Sequence, residues 1–316
     1  MCAIRSDMGD KEKPFVAFAP LQGYTDCVYR RAHSEVAGGV DEYYTPFVRL
    51  EGGEPRLKDL RDIDSGRNDG VPTVPQVIAR DREEFARLCD AVQSAGWRRV
   101  DLNMGCPFPM QVKAGRGSGL LADEERVAAI GEEMRQRRDV RFSVKIRLGQ
   151  EDAEECMRLV PILNEMPLEH VTMHPRLGKQ QYKGVPDCEA FGRFVEACGQ
   201  RVVYNGDLLS EEDVAGVMQR WPMLKGVMIG RGLLARPWML CGKEPQEVVR
   251  EMHTRVYEHA CTVLQGDSQI LARLHAFWEY QTELLDRKQY KAIMKSGSLR
   301  KYKEAVAGWL GRGGLG

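Results

Sequence analysis

The chain has no net charge to speak of. Its 46 Lys+Arg are matched by 46 Asp+Glu over 316 residues, so the molecule as a whole carries no electrostatic mark of a polyanionic partner. Long apolar runs are also missing. Nothing approaches the ~18 residues that cross a bilayer, and Arg5, Asp7, Asp10, Lys11, Glu12 and Lys13 interrupt the start. Neither a membrane span nor a signal peptide is therefore expected, and the cytoplasm is the expected location. The nine cysteines (2, 27, 89, 106, 156, 188, 198, 241, 261) contain no C-x-x-C pair. Odd in number and scattered, they are expected to be reduced thiols, neither a disulfide framework nor a metal site. No G-x-G-x-x-G follows the first strand-like run, which leaves a doubly wound dinucleotide fold without its main support. A hydrophobic content of 43% with 29% charged residues excludes collagen-like, disordered and coiled-coil chains.

What the sequence does contain is a repeat of short β-rich runs, each followed by a turn and a helical pattern. Eight runs occur, at 15–21, 42–46, 73–79, 99–104, 142–148, 170–174, 201–205 and 226–230. Amphipathic stretches lie between them, among them 82–96, 123–138, 153–166 and 210–221, the last opened by Ser210 and three acids. Eight β-then-α units predict an α/β fold of the closed (β/α)8 TIM-barrel type. Beyond Pro237 only helical periods remain. The expected organisation is a flexible segment at 1–13, a catalytic barrel at 14–242 and a small all-helical C-terminal domain at 243–316.

Chemistry in such barrels collects where strands end at the C-terminal face, so polar residues there carry weight. Gln76, Asn103, Lys145, Arg147, His174, Arg176, Asn205 and Asp207 all sit in or just after apolar runs. Gly206, Gly230 and Gly232, with Arg231, fall after the seventh and eighth runs, the usual phosphate site of this fold. Lys145 interrupts a strand that should be continuously apolar, and a lysine at a barrel mouth needs an anionic partner. If the phosphate belongs to FMN, that cation suits the pyrimidine edge of the flavin ring, which accumulates negative charge on reduction. Cys106, between Gly105 and Pro107 at a strand end, is placed to act as a general acid, since an unperturbed thiol is mostly protonated at neutral pH. A nucleophilic role is the alternative.

The stretches APLQGYTD (19–26), PQV (75–77), DLNMGCP (101–107), GRGSGLL (115–121), VKIRLG (144–149), HPRLGKQQYKG (174–184), NGD (205–207) and IGRG (229–232) resemble the flavin-dependent tRNA-dihydrouridine synthases. The resemblance implies NADPH-driven reduction of the C5=C6 bond of selected uridines in tRNA. It implies FMN contacts from Pro20, Leu21, Gln22, Gln76, Lys145, His174, Asn205, Gly206, Asp207, Gly230 and Arg231. It further implies Cys106 as the proton donor to C5, and Asn103, Arg147, Arg176, Gln180 and Tyr182 as holders of the flipped base and its phosphates. Leu21 and Ala79 depart from the family pattern, where Met and Gly are usual; both are small apolar changes expected to be silent. A dihydroorotate dehydrogenase-like oxidoreductase acting on a free pyrimidine is the competing reading, but such enzymes lack an appended helical domain.

That domain carries its own charge signature. Arg287, Lys288, Lys291, Lys295, Arg300, Lys301 and Lys303 occur with no acid between 287 and 303, and Tyr290 and Tyr302 are interleaved. Beside a barrel for a nucleotide substrate, the run is expected to track tRNA phosphates. Zero net charge thus conceals a cancellation, net −3 over 1–242 against net +3 over 243–316. No metal is expected, and the chain is expected to act as a monomer on tRNA.

Overall fold

The computed structural model describes residues 13–310, so the segment expected to be flexible lies outside the described residues except for Lys13. The strands are β1 (Phe15–Phe18), β2 (Glu42–Tyr44), β3 (Leu50–Glu51), β4 (Glu54–Pro55), β5 (Thr73–Val74), β6 (Gln76–Val77), β7 (Arg99–Met104), β8 (Arg141–Gly149), β9 (Leu168–Leu177), β10 (Val202–Tyr204) and β11 (Gly226–Ile229). Nine of them form one parallel sheet in the order β5-β2-β1-β11-β10-β9-β8-β7-β6. The two ends of that order are consecutive in sequence, separated only by Pro75. Proline has no N–H to give a ladder, so the third barrel strand breaks there into two halves that face different neighbours. Bonds from Thr45 N to Val74 O (3.1 Å) and from Asp101 N to Pro75 O (2.9 Å) carry the ladder across the break and close the barrel. The β3–β4 hairpin is antiparallel, stands apart and was not legible as a strand pattern.

Around the barrel lie α1 (Cys27–Val36), α2 (Leu57–Asp62), α3 (Arg82–Ser94), α4 (Pro109–Lys113), α5 (Glu124–Gln136), α6 (Glu154–Glu165), α7 (Cys188–Ala197), α8 (Glu211–Arg220) and the short α9 (Arg231–Ala235). Five of them start at side-chain caps that occupy otherwise orphaned N–H groups: Asp26 (α1), Asp81 (α3), Asp123 (α5), Asp187 (α7) and Ser210 (α8) each accept from the first turn. Ser210 and Asp213 form a reciprocal capping box, in keeping with the serine-then-acid pattern.

The C-terminal region is α10 (Pro245–Val263), α11 (Asp267–Trp278), α12 (Arg287–Met294) and α13 (Leu299–Leu310). These helices share one apolar core with the barrel's outer layer, running from Phe85 and Phe142 through Val249 and Met252 to Trp278 and Tyr302. Polar ties reinforce the seam: Arg255–Glu35 and Arg273–Asp26, both at 2.6 Å, join the helical region to α1 and its cap.

Candidate active site

Three adjacent strands build the site by simple alternation. In β8, Phe142, Val144, Ile146 and Leu148 enter the core under the helices, so Ser143, Lys145 and Arg147 must point to the barrel axis. In β7 the same rule sends Val100, Leu102 and Met104 outward and Asp101 and Asn103 inward. In β9 it turns Thr172, His174 and Arg176 inward. Register then stacks these ladders side by side: Asp101 opposite Ser143, Asn103 opposite Lys145, Lys145 opposite Thr172 and Arg147 opposite His174.

Cys106 follows directly from β7, and its backbone is held at both ends. Asn103 Oδ1 accepts from Gly105 N (3.0 Å) and Cys106 N (2.8 Å). The Cys106 carbonyl accepts from both the N–H and the hydroxyl of Ser118, each at 3.0 Å. The turn that brings Ser118 there needs Gly117, whose φ is +59° and whose hypothetical Cβ would lie 2.5 Å from the Cys106 carbonyl oxygen. Burial lifts the Cys106 thiol above its ordinary pKa, outweighing the Phe108 N–H and the Arg147 and Lys145 charges that favour the thiolate. The thiol is therefore protonated at neutral pH.

A cavity of about 450 Å³ opens at this face of the barrel. Lys145 reaches into it with no ion-pair partner among the described residues, and burial with repulsion from Arg147 brings its pKa down to about 7. Arg147 is held by three carbonyls, donating from Nε to Gly105 O (2.9 Å) and from Nη1 to Leu177 O (3.1 Å) and Gln181 O (2.8 Å). Its remaining amino group has no hydrogen-bond partner among the described residues, and its guanidinium lies 5.6 Å from the Tyr182 ring centroid. Arg231 lies over the same ring at 4.7 Å, so Tyr182 connects two cations at the rim. His174 is kept neutral, its pKa well below the usual value through burial and the surrounding arginines and lysine. Arg176 can only donate, so its 3.1 Å contact to His174 Nε2 puts the ring proton on Nδ1.

Every residue expected to touch the cofactor lines this one cavity: Pro20, Leu21, Gln22, Gln76, Lys145, His174, Asn205, Gly206, Asp207, Gly230 and Arg231. So do Cys106, Asn103, Arg147 and Tyr182. Arg176 and Gln180 do not. The Arg176 guanidinium is buried behind the wall in a two-point pair with Asp207 (3.0 and 2.5 Å), and Gln180 accepts the Leu177 N–H at 2.7 Å. Asp207 also receives Arg231 at 2.6 Å, and these arginine hydrogen bonds hold its carboxyl below the usual range. Sequence reasoning gave no role to Asp101, Ser143 or Ser118, which support the wall. It also missed Tyr280, which comes into the cavity from the α11–α12 turn. Only docking of the helical region reveals it; there Tyr280 meets Tyr24 edge to face at 5.2 Å.

The basic run divides between α12 and α13, and all seven of its cations are exposed. Two residues of this stretch are engaged within the fold. Arg300 is paired with Glu304 at 2.7 Å, four residues on. Tyr302 is fully buried, its hydroxyl taking the Trp278 indole N–H (2.7 Å) and meeting His253 Nε2 (2.5 Å), so it belongs to the core. His33, His170 and His253 are each buried in a structural hydrogen bond outside the cavity. Among the described residues no cluster of ligands suits a metal ion, and no helix is long and apolar enough to cross a membrane.

Comparison with known proteins places this geometry in a family. Residues 17–308 match the family model described as dihydrouridine synthase, a match that runs through the helical region as well as the barrel. A probable tRNA-dihydrouridine synthase of Staphylococcus epidermidis is 28% identical over 246 residues, 74% of this chain and 73% of that protein. tRNA-dihydrouridine synthase B of Pseudomonas putida is 29% identical over 268 residues, 82% of this chain and 76% of that one. In fold the chain is similar to histamine dehydrogenase from Rhizobium sp. 4-9, with a TM-score of 0.54 at 13% identity over 77% of this chain and 48% of that one. A TIM barrel with polar ladders on three strands, a held cysteine at its mouth and a match over nearly the whole chain together show that the protein belongs to the dihydrouridine synthase family, enzymes that reduce uridine in tRNA.

Proposed function

We propose that the cavity holds FMN, that NADPH is the reductant, and that Cys106 donates the proton that completes reduction of a uridine flipped out of tRNA. The observation that carries this reading is a lysine with no ion-pair partner among the described residues, Lys145, together with a protonated thiol, Cys106, in the lining of one cavity. The donor set suits the group. The N–H groups of Gly206 and Asp207 have no protein acceptor among the described residues, and Arg231 stands beside them, as a phosphate requires. At the other end, Lys145 supplies a positive charge and His174 an Nδ1–H donor for an electron-rich ring. When bound, FMN supplies hydride to C6 of the uracil.

The chain's own residues do the rest. Cys106 transfers its proton from Sγ to C5, so hydride and proton together saturate the C5=C6 bond, and the thiolate left behind is reprotonated from solvent. Arg147 and Tyr182 form the rim that takes up the base, with the free amino group of Arg147 available to its carbonyls. The exposed cations of α12 and α13 take the phosphates of the surrounding tRNA, which offsets the cost of unstacking the target base.

Purification tests the cofactor directly. The protein should be yellow and release FMN on denaturation, whereas a colourless protein that takes up no FMN on reconstitution would end this reading.

A further inference from the structure

A hydrogen-bond chain leads from the barrel interior to Cys106, and its sense is fixed at both ends. At the inner end the buried Asp101 carboxylate accepts from Ser143 Oγ (2.6 Å) and Gln76 Nε2 (2.7 Å). Gln76 Oε1 then accepts from Asn103 Nδ2 (2.7 Å), which leaves Asn103 Oδ1 for the N–H groups of Gly105 and Cys106. An ionised carboxylate can only accept, and a backbone N–H can only donate. Both ends therefore demand the same orientation of the two intervening amides; reversing either one would set oxygen against oxygen or N–H against N–H.

We infer that Asp101 is a positioning residue for the reduction, fixing through Gln76 and Asn103 the backbone that presents the Cys106 thiol. The inference rests on Cys106 being the proton donor. It also gives the carboxylate a reason to be where it is. Asp101 is fully buried at the centre of a barrel, a costly place for a charge unless its hydrogen bonds are needed there. Burial, with Glu42 on β2, raises its pKa to about 6 against the hydrogen bonds from Ser143 and Gln76 and the Lys145 charge on β8, so the carboxylate is the main form at neutral pH; Tyr44 on β2 is the other titratable group that feels it. Serine cannot do the same work, because a hydroxyl donates as readily as it accepts and would leave the Gln76 amide free to turn.

Two substitutions separate orientation from mere packing. Asp101→Asn can still accept from Gln76 while donating to Ser143 Oγ, so it keeps the sense of the chain; Asp101→Leu cannot accept at all. The readouts are the pH profile of Cys106 alkylation, followed on its own peptide by mass spectrometry of the intact holoenzyme, and the split of kcat from KM for tRNA. With Asp101→Leu the loop loosens, the thiol becomes more exposed and its alkylation profile shifts to lower pH. kcat should then fall about tenfold or more, the rate equivalent of about 1.4 kcal/mol, with little change in KM. Asp101→Asn should restore the wild-type alkylation profile. An Asp101→Leu enzyme that folds, with profile and kcat unchanged, overturns the inference, and so does an Asn variant as impaired as the Leu one. Should Asp101→Leu not fold, Ser143→Ala combined with Asp101→Asn provides the same comparison: freed of Ser143, the Asn amide can turn, and an unchanged Cys106 profile in this double variant again overturns the inference. A failure of Cys106 as acid shows separately, as normal dihydrouridine yield from Cys106→Ala while the Asp101→Leu alkylation profile still shifts.

Discussion

At Cys106, acid strength and availability pull in opposite directions. Burial raises the thiol pKa, which makes it a weaker acid but keeps it loaded with its proton across neutral pH. A general acid works while protonated, so dihydrouridine formation should hold steady through neutral pH and decline only above the ordinary thiol range, a profile to be read in single-turnover measurements. Lys145 has the opposite sense. Its pKa near 7 means that the free cavity loses this charge as pH rises through neutrality. Flavin binding to apoprotein should therefore weaken from pH 6 to pH 8. Lys145→Met should remove the dependence and lower the reduction potential of the bound flavin; an unchanged potential would detach Lys145 from the ring. Most of these residues were visible in the sequence because they break a rule: a lysine and an arginine in a strand that should be apolar, a histidine and an asparagine where strands end. Asp101 broke the same rule and was passed over, because its partners, Gln76 and Ser143, are far away in sequence and nothing local announces a hydrogen-bond chain.

Among the elements, the turn at Gly117 decides whether the Cys106 loop keeps its shape. Gly117→Ala combines a left-handed φ with a contact to a backbone carbonyl that cannot swing away. It should destabilise the protein by about 2 kcal/mol or more, read as a lower denaturation midpoint with an unchanged denaturant slope. Activity should fall further than stability explains, since the Ser118 grip on Cys106 goes with the turn. The barrel strands were legible as eight apolar runs because parallel strands buried on both faces leave a continuous signal. Their closure was less so. Pro75 divides one run into β5 and β6, and which half pairs with which neighbour depends on register that no single segment encodes. The hairpin of β3 and β4, with two residues per strand, is too short for any periodicity to appear.

For the whole molecule, the separation of charge matters more than its sum. The barrel portion is slightly acidic and the helical portion slightly basic, with the cations exposed on α12 and α13 and the cavity reached by Tyr280 from the turn just before them. Replacing Lys291, Lys295 and Lys301 with Gln should weaken tRNA binding and flatten its salt dependence by roughly one unit of slope for each phosphate that is no longer neutralised. Reduction at saturating tRNA should change little, and unchanged affinity would move the RNA surface elsewhere. Composition alone pointed away from a polyanion; only the distribution along the chain, and then the exposure of each cation, reversed that impression. Tyr302, interleaved with these cations in sequence, does not share their exposure: packing against His253 and Trp278 makes it core. The decisive measurement is incubation of purified holoenzyme, wild type and Cys106→Ala, with NADPH and an unmodified tRNA bearing its native sequence. Dihydrouridine is read by mass spectrometry of the digested RNA, and NADPH oxidation is followed in parallel. Wild type should convert uridine to dihydrouridine, while Cys106→Ala should oxidise NADPH yet yield little product. Equal product from the two enzymes, or none from wild type, would contradict the assignment of this cavity and its cysteine.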